Sequence, residues 1–323
     1  PVTVGVSAGA TAIACGYAAD ARELGADAVI PWADTDRGES RVTIHRAVVA
    51  GDNVRRRAED VKSGTTVLKR GSRISARHVA LLAGLGMHRV RVRPAPRVVV
   101  VSIGDELVEP GQSREAGDVF DANGHALACA VTDAGGQAFR VAAVPDELRA
   151  LADTIEDQLV RADVLITTGG LSVGQGDTVK DVLAPLGSVR FDAVAMSPGR
   201  QLGVGTVEGT PIFCLPGDPV SAQIAFETFV RPVLRQIAGR TSLHRSSLPA
   251  TISEGWHSPS GKREFVPVHV SGSPSRGYRA EPTAPPGTVR LHGLSEANAI
   301  AVVPEDTSTV VAGDTLHCLL LDA

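Results

Sequence analysis

The residues best suited to chemistry lie in one glycine-rich turn at 169–177. The turn supplies small, hydroxyl and acidic residues: Gly169, Gly170, Ser172, Gly174 and Asp177. The apolar, β-branched run at 164–168 predicts a buried strand before the turn, and a new helical pattern begins after it. Such a turn offers backbone N–H groups beside a helix N-terminus, which favours a phosphate. Asp177 is either the N-cap of that helix or a carboxylate at a metal or phosphate site.

Several predicted strands deliver turns of this kind to one place. From 97 to about 240 the chain alternates strand-like and helix-like segments, which predicts a parallel sheet with crossover helices. In open α/β sheets, ligands bind beyond the carboxyl ends of the strands. Four predicted strands end in turns that carry glycine, carboxylates or arginine, at 105–106, 169–172, 197–200 and 216–219. The sequence therefore predicts a binding site at this edge of the sheet.

The flanking segments are short β-type runs separated by turn residues. We expect residues 65–74 to form a hairpin and Ser75 to cap a short helix. The arginine-rich stretch at 52–60 is either a solvated loop or a loop that faces an anion. The predicted fold is a doubly wound α/β domain between a β-rich N-terminal domain and a small C-terminal β-barrel or β-sandwich. The predicted limits are 1–93, 94–240 and 241–323.

Composition excludes several classes of protein. The chain has 323 residues, 43% of them hydrophobic and 3% aromatic, with a net charge of −4. It offers neither the basic surface nor the aromatic platforms typical of nucleic-acid binding, and no apolar run long enough for a membrane span. The cysteines are scattered and form no CxxC pair: Cys15, Cys129, Cys214 and Cys318. This spacing argues against a zinc site and favours the cytoplasm.

Five motifs, in order along the chain, resemble the molybdopterin molybdenumtransferase (MoeA) family, which is related to the E domain of gephyrin. They are SIGDEL (102–107), DANGHAL (121–127), DVLITTGGLSVGQGDTVKDVLAPLG (163–187), VAMSPGR (194–200) and LPGDPVSA (215–222). The stretches GDNVRRRAED, GKREF and LSEANAIAVVP are also similar to the family. The resemblance covers nearly the whole chain.

The resemblance implies an activity and a set of partners. Family members insert molybdate into adenylylated molybdopterin with release of AMP, and Mg²⁺ assists at the phosphates. They are homodimers, with a cleft between the central domain of one subunit and a β domain of the other. Molybdopterin adenylyltransferase and molybdoenzymes are implied as protein partners, and the central domain is expected to be MogA-like.

The resemblance also implies roles for individual residues. The acidic positions implied to be catalytic are Asp60, Glu106, Asp163 and Asp177, and Glu106 and Asp177 are also the implied metal ligands. The implied substrate-binding residues are Gly169, Gly170, Ser172, Gly174, Ser197, Pro198, Gly199, Arg200, Pro216, Asp218, Arg263 and Thr288.

The chain departs from the family pattern at several positions. Ser197 stands where the family has the first lysine of KPGK, which helps to bind molybdate, and Gln201 replaces the proline after that motif. Cys15 replaces the threonine of MTGAP, and Asp218 replaces the asparagine of LPGNP. No stretch matches the SxMDGYA segment that begins family members. We therefore expect either missing residues before Pro1 or a degenerate paralogue.

Two other hypotheses follow from these departures and from the fold. One is a non-catalytic paralogue that binds molybdopterin or its nucleotide as a carrier or scaffold. The other is an adenylyltransferase or a pyridine-nucleotide amidase with the same central fold, against which the two β-rich flanks argue.

Overall fold

The structure is a computed structural model, and it divides into two compact units, residues 1–70 and 71–323. It describes residues 2–6, 26–31, 36, 43–46, 49–52, 57–171 and 178–321. In the first unit, β1 (Val2–Val6) pairs in parallel with β2 (Ala26–Pro31). No helix within these described ranges is long and apolar enough to cross a membrane. The predicted limits of the three domains stay a prediction.

The second unit contains a central sheet of six strands among the described residues. Their order is β6 (Gln137–Arg140), β3 (Arg97–Ser102), β7 (Val164–Thr168), β11 (Thr210–Leu215), β10 (Gln201–Val207) and β8 (Gly187–Ala193). The first four strands are parallel, as the sequence predicts. Strand β10 is antiparallel to both β11 and β8, so the predicted parallel sheet has an antiparallel edge.

A two-residue turn explains the antiparallel edge. Glu208 and Gly209 join β10 to β11, and both have positive φ angles, 50° and 82°. Positive φ at both central residues is the geometry of a type I′ hairpin turn. Glu-Gly lacks the asparagine or aspartate that usually marks this turn, so no strong hairpin signal is visible in the sequence.

Helices cover both faces of the central sheet. They are α2 (Ala122–Ala134), α3 (Leu148–Leu159), α4 (Thr178–Leu186), α5 (Pro219–Ala225), a π-helical turn (Phe226–Val230) and α6 (Arg231–Ile237). Alternate residues of β3 point to opposite faces. Val98 and Val100 belong to the hydrophobic core that includes α2, α5 and α6, whereas Val99 and Val101 belong to the core that includes α3 and α4. The predicted doubly wound domain is confirmed.

The C-terminal part of this unit is a closed barrel. Its strands are β12 (Ser247–Ile252), β14 (Arg263–Ser273), β15 (Gly277–Pro282), β16 (Ala299–Val303) and β18 (Thr315–Leu320). Their order is β15-β12-β18-β16-β14, and the pairing of β15 with β14 closes the barrel. Strand β9 (Met196–Ser197) adds to β14 in parallel and so ties the turn at 197–200 to the barrel. The predicted small barrel is confirmed.

The remaining elements are short. They are α1 (Ala76–Gly84), β4 (Leu107–Val108), β5 (Val119–Phe120), β13 (Trp256–His257), α7 (Leu291–Glu296) and β17 (Thr309–Val310). Helix α1 begins after Ser75, as predicted, and the Ser75 backbone N–H donates to Nδ1 of His78 at 3.1 Å. The predicted hairpin at 65–74 is wrong, because these residues, all of them described, form turns and irregular backbone without a strand.

Candidate functional site

An open cavity of about 600 Å³ lies at the carboxyl ends of the central strands, where the sequence predicts a binding site. Gly104 and Glu106 line it after β3, and Gly169 and Gly170 line it after β7. Asn123, in the first turn of α2, forms another part of the wall. The structure thus brings together three of the residues that the resemblance assigns to catalysis or substrate binding, Glu106, Gly169 and Gly170.

The two glycines after β7 are required by the backbone and by close packing. Their φ angles are +89° and +66°, in the left-handed region that favours glycine. A Cβ atom at Gly169 would overlap the carbonyl oxygen of Ile103, whereas one at Gly170 would lie 2.6 Å from the Val179 side chain. The turn therefore lies directly against the end of β3, and its backbone faces the cavity.

A buried amide holds the strand ends together, and sequence reasoning did not assign it a role. The Asn123 side chain donates through Nδ2 to Oγ1 of Thr168 and to the carbonyl oxygen of Gly217, both at 2.8 Å. Thr168 Oγ1 in turn donates to the carbonyl oxygen of Pro216 at 2.8 Å. Asn123 is 8% exposed, and its Oδ1 atom is covered and has no hydrogen-bond partner among the described residues. The signal available in the sequence was an asparagine two residues after an aspartate suited to cap a helix.

An ion-pair network supports this wall from behind. Asp121 caps α2, accepting from the Gly124 backbone N–H and the Ser102 hydroxyl, both at 2.8 Å. Arg140 lies 3.3 Å from Asp121 and donates to both carboxylate oxygens of Glu109. The hydrogen bonds from Arg140 lower the pKa of Glu109 and raise that of Arg140 itself. The network fixes the start of α2, and with it the position of the buried amide.

The described charged residues that line the cavity are all acidic. Glu106 folds its carboxylate over Gly104, and Asp146 donates its backbone N–H to the Asp105 carboxylate at 3.0 Å. Within the described chain, the lining includes the acids Glu106, Asp121 and Asp146 and no lysine or arginine. No cluster of three histidine, cysteine or acidic side chains suited to a metal ion occurs among the described residues. A phosphate in this cavity would therefore need a cation that the described lining does not supply.

A second, narrower cleft lies between the sheet domain and the barrel. The cleft has a volume of about 20 Å³. The residues that line it include Ser197, Pro198, Glu264, Thr288 and Arg290. Glu264 lies opposite Ser197 in the β9–β14 pairing and is 1% exposed. Its Oε2 atom accepts from the Trp256 indole N–H at 2.9 Å, whereas Oε1 is covered and has no partner among the described residues.

Other predicted substrate-binding residues lie outside the two linings. Arg263 is exposed and donates to the Glu305 carboxylate at 2.9 and 3.1 Å. Arg200 is exposed, and Gly199 packs against Ser221. Asp218 is the N-cap of α5, and its carboxylate accepts from the Ser221 backbone N–H at 2.8 Å. The side chain of Asp218 therefore has a structural role in this conformation.

The four predicted catalytic acids are not all at the cavity. Asp163 precedes β7, at the opposite end of that strand, and its carboxylate binds the backbone and guanidinium of Arg97 at 2.8–3.2 Å. The hydrogen bond from Arg97 lowers the pKa of Asp163. The structure therefore does not bring Asp163 to the cavity. Asp60 is an exposed residue of the first unit, and Asp177 lies outside the described residues, as do Ser172 and Gly174.

Three segments of the chain match models of known protein families. Residues 99–236 match "Probable molybdopterin binding domain", and residues 10–86 and 249–321 match "MoeA N-terminal region (domain I and II)" and "MoeA C-terminal region (domain IV)". These matches run in the order in which the family's regions occur.

Individual relatives agree with these matches. The chain is 37% identical over 302 residues to molybdopterin molybdenumtransferase 2 of Mycobacterium tuberculosis, covering 91% of this chain and 73% of that one. It is 32% identical to the molybdopterin molybdenumtransferase of a Nostoc species, covering 92% and 69%. The structure superposes on the molybdopterin biosynthesis MoeA protein of Pyrococcus horikosii with a TM-score of 0.75 and 28% identity, covering 92% and 73%. The chain belongs to the molybdopterin molybdenumtransferase (MoeA) family.

Proposed function

We propose that the chain is a molybdopterin molybdenumtransferase of molybdenum cofactor biosynthesis, which inserts molybdate into adenylylated molybdopterin and releases AMP. The observation that carries the proposal is the cavity at the carboxyl edge of the sheet, lined by Gly169, Gly170, Glu106 and Asn123. Its volume of about 600 Å³ suits a ligand of nucleotide size. Breaking the bond between the two phosphates of the substrate requires that their negative charge be compensated as a water attacks.

A divalent cation, Mg²⁺, would supply that compensation. Mg²⁺ usually binds through one or two carboxylates together with substrate phosphates and water, rather than in a cage made only of protein. An acidic lining without a basic side chain among its described residues fits this mode, and Glu106 is the described ligand of the proposed pair. Asp177, the other proposed ligand, lies outside the described residues. Within this scheme Glu106 would hold the ion, and Asn123 fixes the strand ends that would position the phosphates.

The second cleft is the proposed site for molybdate. Arg290 and Thr288 line it, and Arg290 offers a guanidinium to an oxyanion, whereas the Thr288 hydroxyl donates to the Pro285 carbonyl oxygen at 2.5 Å. The buried carboxylate of Glu264 opposes binding of an anion, and the position that holds lysine in the family is Ser197. These two residues favour the second candidate function, a paralogue that binds molybdopterin or its nucleotide without turnover.

The proposed assembly and location follow the family. We propose a homodimer whose cleft is completed by the partner subunit, with molybdopterin adenylyltransferase and molybdoenzymes as further protein partners. Analytical ultracentrifugation across a range of protein concentrations tests the dimer, and a monomer at every concentration would contradict it. The cytoplasm is the proposed location, supported by the scattered cysteines.

A molybdate-dependent turnover assay tests the function. Adenylylated molybdopterin, Mg²⁺ and molybdate are mixed with the protein, and AMP release is followed for the wild type and for Glu106→Gln, Asp177→Ala and Ser197→Lys. We expect wild-type release to require Mg²⁺, and Glu106→Gln and Asp177→Ala each to slow it about 100-fold or more. The exposed Asp192→Asn variant is the control and should match the wild type.

The same assay separates the two candidate functions. Tight substrate binding without AMP release by the wild type would contradict the transferase and support the binding paralogue. If Ser197→Lys then gained turnover, the loss of activity would be located in the second cleft, because a lysine there would pair with Glu264 and add a cation.

A further inference from the structure

One aromatic side chain is exposed in the wall of the cavity. Among the phenylalanine and tryptophan side chains that the structure describes, Phe120 alone is exposed, at 41%. It ends β5, and both it and its neighbour Val119, which is 51% exposed, line the cavity. In a chain with only 3% aromatic residues, an aromatic face left to water inside a cavity is a feature that a ligand could cover.

The ring is held in place rather than carried on a loose loop. The Val119 backbone N–H donates to the Glu106 carbonyl oxygen at 2.7 Å, and the Asp121 backbone N–H donates to that of Val108 at 2.9 Å. Both bonds tie the backbone on either side of Phe120 to the β4 segment, and the second holds Asp121, the residue that caps α2. A side chain whose backbone is already ordered loses less conformational entropy when a ligand binds to it.

A guanidinium lies next to the same ring. The Cζ atom of Arg114 is 5.7 Å from the centre of the Phe120 ring, within the range of a cation–π contact. This contact orients the ring and leaves a positive charge beside a cavity whose own described lining is acidic. A planar, electron-rich ring that carries a phosphate matches both features.

The polar neighbour of this surface is engaged in the fold. Asn123 lines the same cavity, both of its N–H donors are in use, and its Oδ1 atom is covered. The ring face and the nearby guanidinium, rather than this amide, therefore carry the recognition of a ligand.

We propose that Phe120, oriented by Arg114, is the stacking platform for a planar nitrogen heterocycle of the substrate. This inference rests on the proposed function, whose substrate carries two such rings, a pterin and an adenine. The chemistry that the two rings share is a flat heteroaromatic face that stacks against Phe120.

Binding of the two rings tests the proposal separately from turnover. Calorimetric titrations with AMP and with neopterin, a free pterin, compare the wild type with Phe120→Leu, Phe120→Tyr and Arg114→Gln. The Val311→Ala variant is the control, since it shortens an aliphatic side chain that is 53% exposed and lies outside the described cavity lining. We expect Phe120→Leu to weaken binding of the ligand that stacks by about 5- to 150-fold, while Phe120→Tyr and Val311→Ala bind nearly as the wild type does. The ligand for which Phe120→Leu loses affinity, AMP or neopterin, shows whether the adenine or the pterin stacks on Phe120.

The kinetic readout distinguishes stacking from a structural role. Because a ring remote from the reacting phosphates is held equally in the ground state and the transition state, Phe120→Leu should raise KM and leave kcat unchanged. Unchanged affinity of Phe120→Leu for both ligands would overturn the proposal, as would a wild type that binds neither. If ring binding depended on Phe120 but the protein released no AMP, the proposed transferase activity would be contradicted and the stacking role of Phe120 would be supported.

Discussion

Two neighbouring threonines on β7 provide a contrast at the scale of single residues. Thr168 donates to the Pro216 carbonyl oxygen and accepts from Asn123, whereas the buried Thr167 hydroxyl has no partner among the described residues. Thr168→Val would leave a buried donor of Asn123 unsatisfied, so we expect the free energy of unfolding to fall by about 1–3 kcal/mol. Thr167→Val removes a buried polar group that lacks a hydrogen bond, so we expect no loss or a small gain in stability.

Urea denaturation of the two valine variants, made in the same background, measures this contrast. The substitutions are nearly equal in volume and lie side by side on one strand, so differences in strand propensity cancel. Equal destabilisation by both variants would show that the hydrogen bonds around Asn123 contribute nothing beyond β-strand packing.

Two glycines with similar backbone angles separate strain from steric overlap. Gly169 has a φ of +89° and lies against Ile103, whereas Gly209 has a φ of +82° and nothing within 4 Å of an added Cβ. We expect Gly209→Ala to cost about 1–2 kcal/mol, from the left-handed backbone alone. Gly169→Ala should cost about 1–3 kcal/mol more, because the methyl group would displace the end of β3. Thermal unfolding of both variants tests this, and equal melting temperatures would contradict it.

At the residue scale the sequence predicted part of the site. Gly169, Gly170 and Glu106 were predicted for the site, and the structure places them in the cavity lining, because glycine after a buried strand and carboxylates at strand ends are visible locally. Asn123 was missed, because its role depends on contacts with residues 45 and 94 positions further along the chain. Asp163 was assigned to catalysis by resemblance, yet the structure pairs it with Arg97 at the other end of the strand.

At the scale of elements, the ion pair of Glu109 and Arg140 beside α2 makes the stability of the protein depend on pH. The pKa of Glu109 is lowered in the folded protein, mainly by hydrogen bonds from Arg140. A folded-state pKa below the unfolded value of about 4.3 means that the stabilisation is complete above that pH and is lost as the pH falls through the folded value. We therefore expect Glu109→Gln to flatten the fall in stability below about pH 5.

Denaturant titrations between about pH 3 and pH 7 measure that slope. Glu156→Gln, at an exposed position of α3, is the matched control and should keep the wild-type slope. A Glu109→Gln variant with the full acid dependence of the wild type would show that the Glu109–Arg140 pair does not contribute to it.

The elements themselves were predicted where one physical signal dominates. Strands β3 and β7 are runs of apolar and β-branched residues that are buried on both faces. Such runs are recognisable as buried strands from the sequence alone. Strand β10, QLGVGTV, was missed because glycines weaken the β-pattern, although they allow close pairing with β8 and β11. The hairpin expected at 65–74 did not form, because β-type residues pair only when a partner strand and a core are within reach.

At the scale of the whole second unit, the barrel and the sheet domain share a core. Phe265, Leu294 and Ile300 from the C-terminal part belong to the same hydrophobic cluster as Leu202 and Val220 of the α/β part. The β9–β14 pairing adds backbone hydrogen bonds across the same junction. Two parts that lose one core together should unfold together. The second cleft lies along this junction, so its shape depends on that shared packing.

Two buried thiols report on this cooperativity from opposite sides of the junction. Cys214 lies in the core of the sheet domain and Cys318 in the core of the barrel, both 0% exposed. Burial raises the pKa of Cys318 to about 11, so the folded protein holds it as an unreactive thiol. Two single-thiol variants are made by replacing three of the four cysteines with serine, so that one variant keeps only Cys214 and the other keeps only Cys318. Each variant is labelled with a maleimide at increasing urea concentrations.

We expect both thiols to become reactive at the same urea concentration, because the shared cluster joins the two parts and a unit that unfolds in one step loses the clusters around both thiols together. A far-UV signal recorded on the same samples controls for destabilisation by the serine substitutions. If Cys318 reacted at a lower urea concentration than Cys214, the barrel would open on its own, and the second cleft would come apart while the cavity of the sheet domain stayed intact. Binding of AMP would then survive conditions that abolish turnover, which links the unfolding experiment to the assignment of the two sites.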